Sequence, residues 1–163
     1  MLRKAGNRFV KFQYAISITA AISLVLMIVW QSFLRYVLKA PLMGIEELMV
    51  LPTIWLYMMG AADASYENSH IVCGILTLYI KKERSKRLFQ IVKSSLTFVI
   101  FAWLAYWGFK YAVYSFDLWK VTDLLYIPMF FEEGAMFVGF LLMTVYALRD
   151  CVSAAKSFGK GEN

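Results

Sequence analysis

Long uncharged runs of apolar residues constrain this chain more than any other feature. Residues 12–34 form a run of 23 consecutive residues without Asp, Glu, Lys or Arg. A helix needs about 20 mainly apolar residues to cross roughly 30 Å of bilayer hydrocarbon, where only helices and closed barrels satisfy their backbone hydrogen bonds. The run is also longer than the core of a typical signal peptide, which has about 7–15 residues. We therefore interpret it as part of a retained membrane-spanning helix.

Three further mainly apolar segments follow, each with an uncharged centre of 15 or 16 residues. The chain is 61% hydrophobic and only 17% charged, whereas a soluble domain of this size usually has about 25% charged residues. The pattern predicts an all-α integral membrane protein whose four spans consume most of the chain. We predict a single membrane domain over residues 1–163, with Pro52 and Gly60 as packing features of its second span. The predicted spans are residues 12–38, 44–65, 88–116 and 130–150.

A shorter apolar stretch lies between the second and third spans. Residues 70–80 are too few to cross the bilayer, but their apolar side chains recur at helical spacing. A basic run follows directly, as in helices that lie in the membrane interface. We predict a short interfacial amphipathic helix here. The basic side chains expected to contact lipid head groups are Lys81, Lys82, Arg84, Lys86 and Arg87.

The distribution of basic residues predicts the orientation. The N-terminal segment, the segment between the second and third spans, and the C-terminal segment together hold 13 of the 17 Lys and Arg residues. Basic residues are enriched in cytoplasmic segments. Both termini are therefore predicted to be cytoplasmic. Because the basic residues lie beside the apolar segments, we expect the net charge of +6 to favour contact with anionic lipid head groups and not with nucleic acid.

The inventory of reactive residues favours no catalytic chemistry. The single His rules out bis-His haem ligation within the chain, and the two Cys residues form no metal-binding motif. We therefore predict no enzymatic activity and no cofactor. A self-contained tetraspan transporter usually carries ionisable groups near the middle of its spans, whereas the charges here lie near the span ends. That class and the membrane anchor of a respiratory complex remain the alternatives.

Several features in order resemble the small membrane subunit of the tripartite ATP-independent periplasmic (TRAP) transporters, a DctQ-like protein. These features are the pair Glu46-Glu47 before Leu48, then Trp55, the run Gly60-Ala61-Ala62 and the step His70-Ile71. A basic loop and two spans follow, so the resemblance covers residues from about 12 to 152. Asp63 lies where the resemblance leads us to expect an uncharged residue.

The resemblance implies a function in solute uptake. Such a subunit is expected in the bacterial inner membrane as a stable heterodimer with a large multi-span subunit that holds the substrate and sodium sites. A periplasmic binding protein is expected to deliver the substrate, commonly an organic acid, in a transient contact. Sodium is therefore expected in the partner and not in this chain, which would serve as a scaffold.

Two groups of residues are predicted to make these contacts, besides the lipid contacts of the basic run. The predicted subunit-interface residues or polar anchors are Glu46, Glu47, Trp55 and His70. For Glu46 and Glu47, a plain role at the positive end of a helix dipole is the alternative. For His70, the alternative role is a cap on the predicted interfacial helix. The residues predicted to face the binding protein are Arg35, Lys39, Asp117, Lys120 and Asp123.

Overall fold

The computed structural model describes residues 2–39, 43–67 and 83–159. Within them are four α-helices, each with a stretch long and apolar enough to cross a membrane, which confirms the predicted number of spans. Outside the helices, the described residues contain one isolated β-bridge, between Val121 and Pro128. The helices are α1 (Leu2–Tyr36), α2 (Ile45–Tyr66), α3 (Glu83–Asp117) and α4 (Phe130–Gly159).

The helices extend beyond the predicted spans at one end of the molecule. α3 begins at Glu83, within the basic run, and α4 continues to Gly159. Helical hydrogen bonding therefore continues past the apolar segments, because polar residues outside the hydrocarbon still support a helix already nucleated within it. The predicted interfacial helix at 70–80 lies outside the described residues, and the cytoplasmic location of the termini stays a prediction.

The helices are arranged in a row. α1 packs against α2, α2 against α4, and α4 against α3. The order across the row is therefore α1, α2, α4, α3, with α2 and α4 as parallel neighbours at its centre. We call the end with the segments 37–44 and 118–129 the loop end, and the opposite end the terminal end. Only 6–28% of the residues in the most apolar stretch of each helix are buried, so the row leaves two broad faces open.

A glycine sets the close approach of α2 and α4. A Cβ atom added at Gly139 would lie 2.7 Å from Met58 Cβ, closer than real Cβ contacts. Towards the terminal end, Ala62, Met143 and Tyr146 continue the contact as a small buried cluster. Helix association in lipid depends on such close packing at small residues, because lipid tails are as apolar as the side chains.

Gly60, the glycine that the sequence suggested as a packing feature, differs from Gly139. Among the described residues, a Cβ atom at Gly60 would meet nothing within 4 Å, so none of them packs closely against Gly60. Gly134 on α4 is open in the same way.

Candidate functional site

At the loop end, a carboxylate joins α2 to the connection between α3 and α4. Glu47 accepts hydrogen bonds from the backbone N–H groups of Leu124, at 3.0 and 3.2 Å, and Leu125, at 3.0 Å. Gly44 caps α2 with φ +100°, and a Cβ atom there would lie 3.0 Å from Leu125 Cγ. Glycine is therefore required by both backbone conformation and space. These contacts hold the loop against the start of α2.

The loop also closes on itself. Thr122 N–H donates to Ile127 O at 2.9 Å, and Ile127 N–H donates to the Thr122 hydroxyl at 3.1 Å. Met129 N–H donates to Lys120 O at 2.9 Å, beside the bridge between Val121 and Pro128. The loop is thus a compact turn whose backbone groups are largely satisfied, which makes it a firm base for Glu47.

Two acidic side chains at the start of α4 are buried. Glu132 is 7% exposed and Glu133 is 5% exposed, and among the described residues the Glu133 Oε2 atom has no hydrogen-bond partner. Their backbone N–H groups both donate to Met129 O at 3.0 Å, so they occupy the first turn of the helix. Carboxylates are favoured there by the helix dipole. The described residues contain no group of three or more His, Cys, Asp or Glu side chains placed to hold a metal ion.

Near the terminal end, a polar cluster joins three helices. It consists of Gln13 and Ser17 on α1, Asp63 on α2 and Tyr146 on α4. The Tyr146 hydroxyl donates to Gln13 Oε1 at 2.8 Å, and the Ser17 hydroxyl donates to Asp63 Oδ2 at 3.2 Å. Asp63 is 7% exposed and Gln13 is 2% exposed. We call these four residues the terminal-end polar cluster.

Further polar contacts surround this cluster. Arg149 on α4 donates to the backbone carbonyl of Tyr66 at 3.0 Å, and its guanidinium lies over the Tyr66 ring at 4.9 Å. A cation placed at the last carbonyls of a helix is favoured by the helix dipole. The Tyr14 hydroxyl donates to Glu67, which links α1 to the residue that follows α2. Polar contacts therefore join neighbouring helices at both the loop end and the terminal end.

One residue of α2, Trp55, contributes to an apolar groove of about 540 Å³. Trp55 lines it together with residues from the start of α4 and the last turns of α3. Gly134 forms part of its wall, and Phe109 packs on Phe137 at a centroid distance of 5.3 Å. The groove defines one of the two open faces of the row, which we call the groove face.

Comparison with protein families matches residues 24–157 to the DctQ component of the tripartite ATP-independent periplasmic transporters. The match spans most of the chain. The chain belongs to the DctQ family, the small component of TRAP transporters. The predicted family is thereby confirmed, as is a multi-pass membrane protein that belongs to a transporter rather than an enzyme family. Comparison with curated proteins finds none that matches the chain.

The structure separates the predicted interface residues of this DctQ protein. Glu46 is exposed and accepts a hydrogen bond from the Gln31 amide at 3.3 Å, whereas Glu47 is engaged by its own loop. Trp55 lines the groove. His70 lies outside the described residues. Glu46 is exposed, whereas Glu47 and Trp55 are partly buried, and the roles of all four residues in subunit contact stay predictions.

The residues predicted to face a binding protein share the loop end of this DctQ chain. Lys120 lies over the rings of Tyr111 and Tyr114, at 5.8 and 4.5 Å. Contact with a binding protein remains a prediction. The five residues are Arg35, Lys39, Asp117, Lys120 and Asp123, all of them exposed except Lys120, which is partly buried.

The structure describes only part of the basic run that is predicted to contact lipid. Lys81 and Lys82 lie outside the described residues, as do the side chains of Arg84 and Arg87, whose backbones belong to the first turns of α3. Lys86 is partly buried on the same segment. The head-group contacts of the basic run stay a prediction.

Sequence reasoning missed the terminal-end polar cluster and the burial of Glu132. The available signal was the spacing of Gln13 and Ser17, which are four residues apart and therefore share one face of α1. Polar side chains on one face of a membrane-spanning helix indicate contact with a neighbouring helix. Tyr146 carries no such signal, because an isolated Tyr near a span end is equally expected in an aromatic belt.

Proposed function

We propose that this DctQ protein is the scaffold subunit of a sodium-coupled TRAP transporter that takes up an organic acid. In this proposal it lies in the bacterial inner membrane with both termini in the cytoplasm. The large multi-span subunit binds substrate and sodium, and a periplasmic binding protein delivers the substrate to the loop end. This chain holds the immobile part of the large subunit in place while the transport domain moves.

The polar contacts at both ends of α2 are the observation that supports the scaffold role. At the loop end, Glu47 binds the loop between α3 and α4. At the terminal end, Asp63 binds α1, and the C-terminal carbonyl of Tyr66 binds Arg149 of α4. A helix fastened at both ends cannot tilt or slide independently of its neighbours. A scaffold requires this property, whereas a moving transport domain requires the opposite.

The direct test compares three preparations in liposomes with an imposed sodium gradient. They contain the large TRAP subunit with this chain, the large subunit alone, and this chain alone. With the matching binding protein and a panel of radiolabelled mono- and dicarboxylates, uptake is expected only for the complete pair. Uptake should disappear when potassium replaces sodium. Sodium-dependent uptake by this chain alone would refute the scaffold role.

A second measurement separates scaffolding from substrate binding. In the complete transporter, Tyr146→Phe removes the hydroxyl that bonds to Gln13 across two helices. We expect a lower maximal uptake rate with an unchanged KM for substrate. Thr144→Val is the matched control, because the Thr144 hydroxyl bonds only to the Phe140 carbonyl of its own helix, at 2.7 Å. A raised KM for Tyr146→Phe would instead place this cluster close to substrate.

A further inference from the structure

We infer that the large TRAP subunit docks a membrane-spanning helix on the Tyr57 side of α2, the face of the row opposite the groove. This inference rests on the proposed function, because it names the surface through which the proposed partner is held.

Tyr57 lies in the middle of α2, far from both membrane surfaces. It is 12 residues after Ile45 and nine before Tyr66, which places it about 18 Å and about 14 Å from the two helix ends. Side chains on a helix lean towards its N-terminus, so the Tyr57 hydroxyl leans away from the nearer end and stays within the hydrocarbon. An aromatic residue that served only as an interface anchor would lie near a helix end.

The Tyr57 side chain is 67% exposed, and among the described residues its hydroxyl has no hydrogen-bond partner. A hydroxyl without a partner is costly in hydrocarbon, where no water replaces the missing bond. Tyr57 therefore requires an acceptor from another molecule, and lipid tails supply none.

The surroundings of Tyr57 fit a helix as that molecule. Gly60 lies three residues further along the same side, and a Cβ atom there would meet nothing within 4 Å. A glycine with open space in front of it allows a neighbouring backbone to approach closely in a membrane. Val50, seven residues before Tyr57, continues the same side and is 41% exposed. The partner helix can thus approach closely at Gly60, beside Tyr57, and make an apolar contact with Val50, about two turns away.

A charged group at the loop end of the same side defines the partner further. Glu46 is 11 residues before Tyr57, which is close to three helical turns, so both residues share this side. Its carboxylate is exposed and meets only the Gln31 amide, at 3.3 Å, among the described residues. The docked helix is therefore expected to carry a basic side chain at the level of Glu46 and a hydrogen-bond acceptor at the level of Tyr57.

The groove face lacks these features. Trp55 is two residues from Tyr57 and so about 200° around the helix. It lies in the groove among aromatic and aliphatic side chains, without an unpaired hydroxyl or a carboxylate. Lipid chains suit this largely apolar surface. The row therefore has one face suited to lipid and one suited to a protein helix.

Two glycines provide a matched pair of substitutions for the test. Gly60 and Gly134 are both helical and both open, but Gly134 lies on the groove face. In cells that express this chain with the large subunit, Gly60→Leu is expected to abolish co-purification, and Gly134→Leu to leave it at the wild-type level. Tyr57→Phe should weaken the complex by about threefold to 18-fold, the range for one hydrogen bond between membrane helices.

Photocrosslinking makes the test independent of these substitutions. A benzophenone amino acid at position 57 should crosslink to the large subunit, whereas one at Leu141, exposed at mid-span on α4, should not. A crosslink only from position 141, equal crosslinks from both, a crosslink from 57 to a second copy of this chain, or none at all would overturn the inference. Normal co-purification of Gly60→Leu would do so too, while leaving the proposed function intact. Failure of the wild-type pair to co-purify would overturn both.

Discussion

The close approach of α2 and α4 at Gly139 leads to a quantitative prediction. In Gly139→Ala, the new methyl group would lie 2.7 Å from Met58 Cβ, 3.1 Å from its sulfur and 3.2 Å from its Cγ. To reach an ordinary contact of 3.4 Å, Met58 Cβ would have to recede by 0.7 Å. A Cβ atom moves only with its backbone, so the two helices must separate.

The expected loss of stability follows from this forced separation. Overpacking of a well-packed contact typically costs about 1–3 kcal/mol. The usual advantage of Ala over Gly in a helix, about 0.5–1 kcal/mol, offsets part of this cost. We therefore expect Gly139→Ala to lower the free energy of unfolding by up to about 2.5 kcal/mol. The same substitution at Gly134, where a Cβ atom meets nothing within 4 Å, should be neutral or slightly stabilising.

Reversible unfolding in mixed detergent micelles measures both variants, with near-ultraviolet circular dichroism as the probe of helix packing. A double-mutant cycle with Met58 identifies the cause. Because the closest atom is Met58 Cβ, Met58→Ala should relieve little of the clash, whereas Met58→Gly should remove it and give a favourable coupling energy. If Gly139→Ala proves as stable as Gly134→Ala, or if Met58→Ala rescues it fully, the backbone contact proposed here is refuted.

The polar contacts at the two ends of the row lead to two further predictions. Tyr146→Phe should lower the free energy of unfolding by about 1–2 kcal/mol, because it leaves the buried Gln13 side chain without its donor, and Thr144→Val should cost less in the same detergent assay. Equal losses for the two would contradict an interhelical role. Glu47→Ala should accelerate hydrogen exchange at the Leu124 amide, measured by mass spectrometry, because that amide loses its acceptor. Unchanged exchange at Leu124 would show that the loop holds its conformation without the carboxylate.

The spans were predictable from the sequence because the requirement they meet is local. A bilayer of fixed thickness demands a minimum length of mainly apolar residues, and the four predicted spans, of 21 to 29 residues, meet it. The helix ends were less predictable. α3 begins at Glu83 and α4 continues to Gly159, because helices extend past the hydrocarbon as long as polar residues support them. Hydropathy contains no information about that extension.

The lateral order of the helices could not be predicted in the same way. The closest contact between α2 and α4 joins Gly139 and Met58, which are about half of the chain apart in sequence. Nothing local distinguishes Gly139 from Gly134, although one is packed and the other is open. The two glycines differ because α2 places Met58 against Gly139 but places no atom within 4 Å of a Cβ at Gly134.

Asp63 shows why the polar part of the site was harder to predict than the fold. It lies three residues before the end of α2, where a carboxylate of a membrane-spanning helix is usually expected at the membrane surface. It is buried instead, because Ser17 donates a hydrogen bond to it and Gln13 packs close by from the same face of α1. A carboxylate near the end of a span can thus either contact water or join two helices. Which of the two occurs depends on whether the neighbouring helix offers a hydrogen-bond donor, as α1 does with Ser17.

The row arrangement explains why polar contacts lie at both ends of α2 while its middle is left unsatisfied. A closed bundle buries its mid-span residues against one another and needs few contacts at its ends. In this row, α1 and α3 each pack mainly against one neighbour, so end contacts such as those of Glu47 and Asp63 must prevent the helices from splaying. The middle of α2 then remains free to present Tyr57, whose hydroxyl only another membrane-embedded chain could satisfy. The contacts at both ends of α2 and the unpaired Tyr57 hydroxyl thus both suit the proposed function of a subunit that holds a larger partner in place.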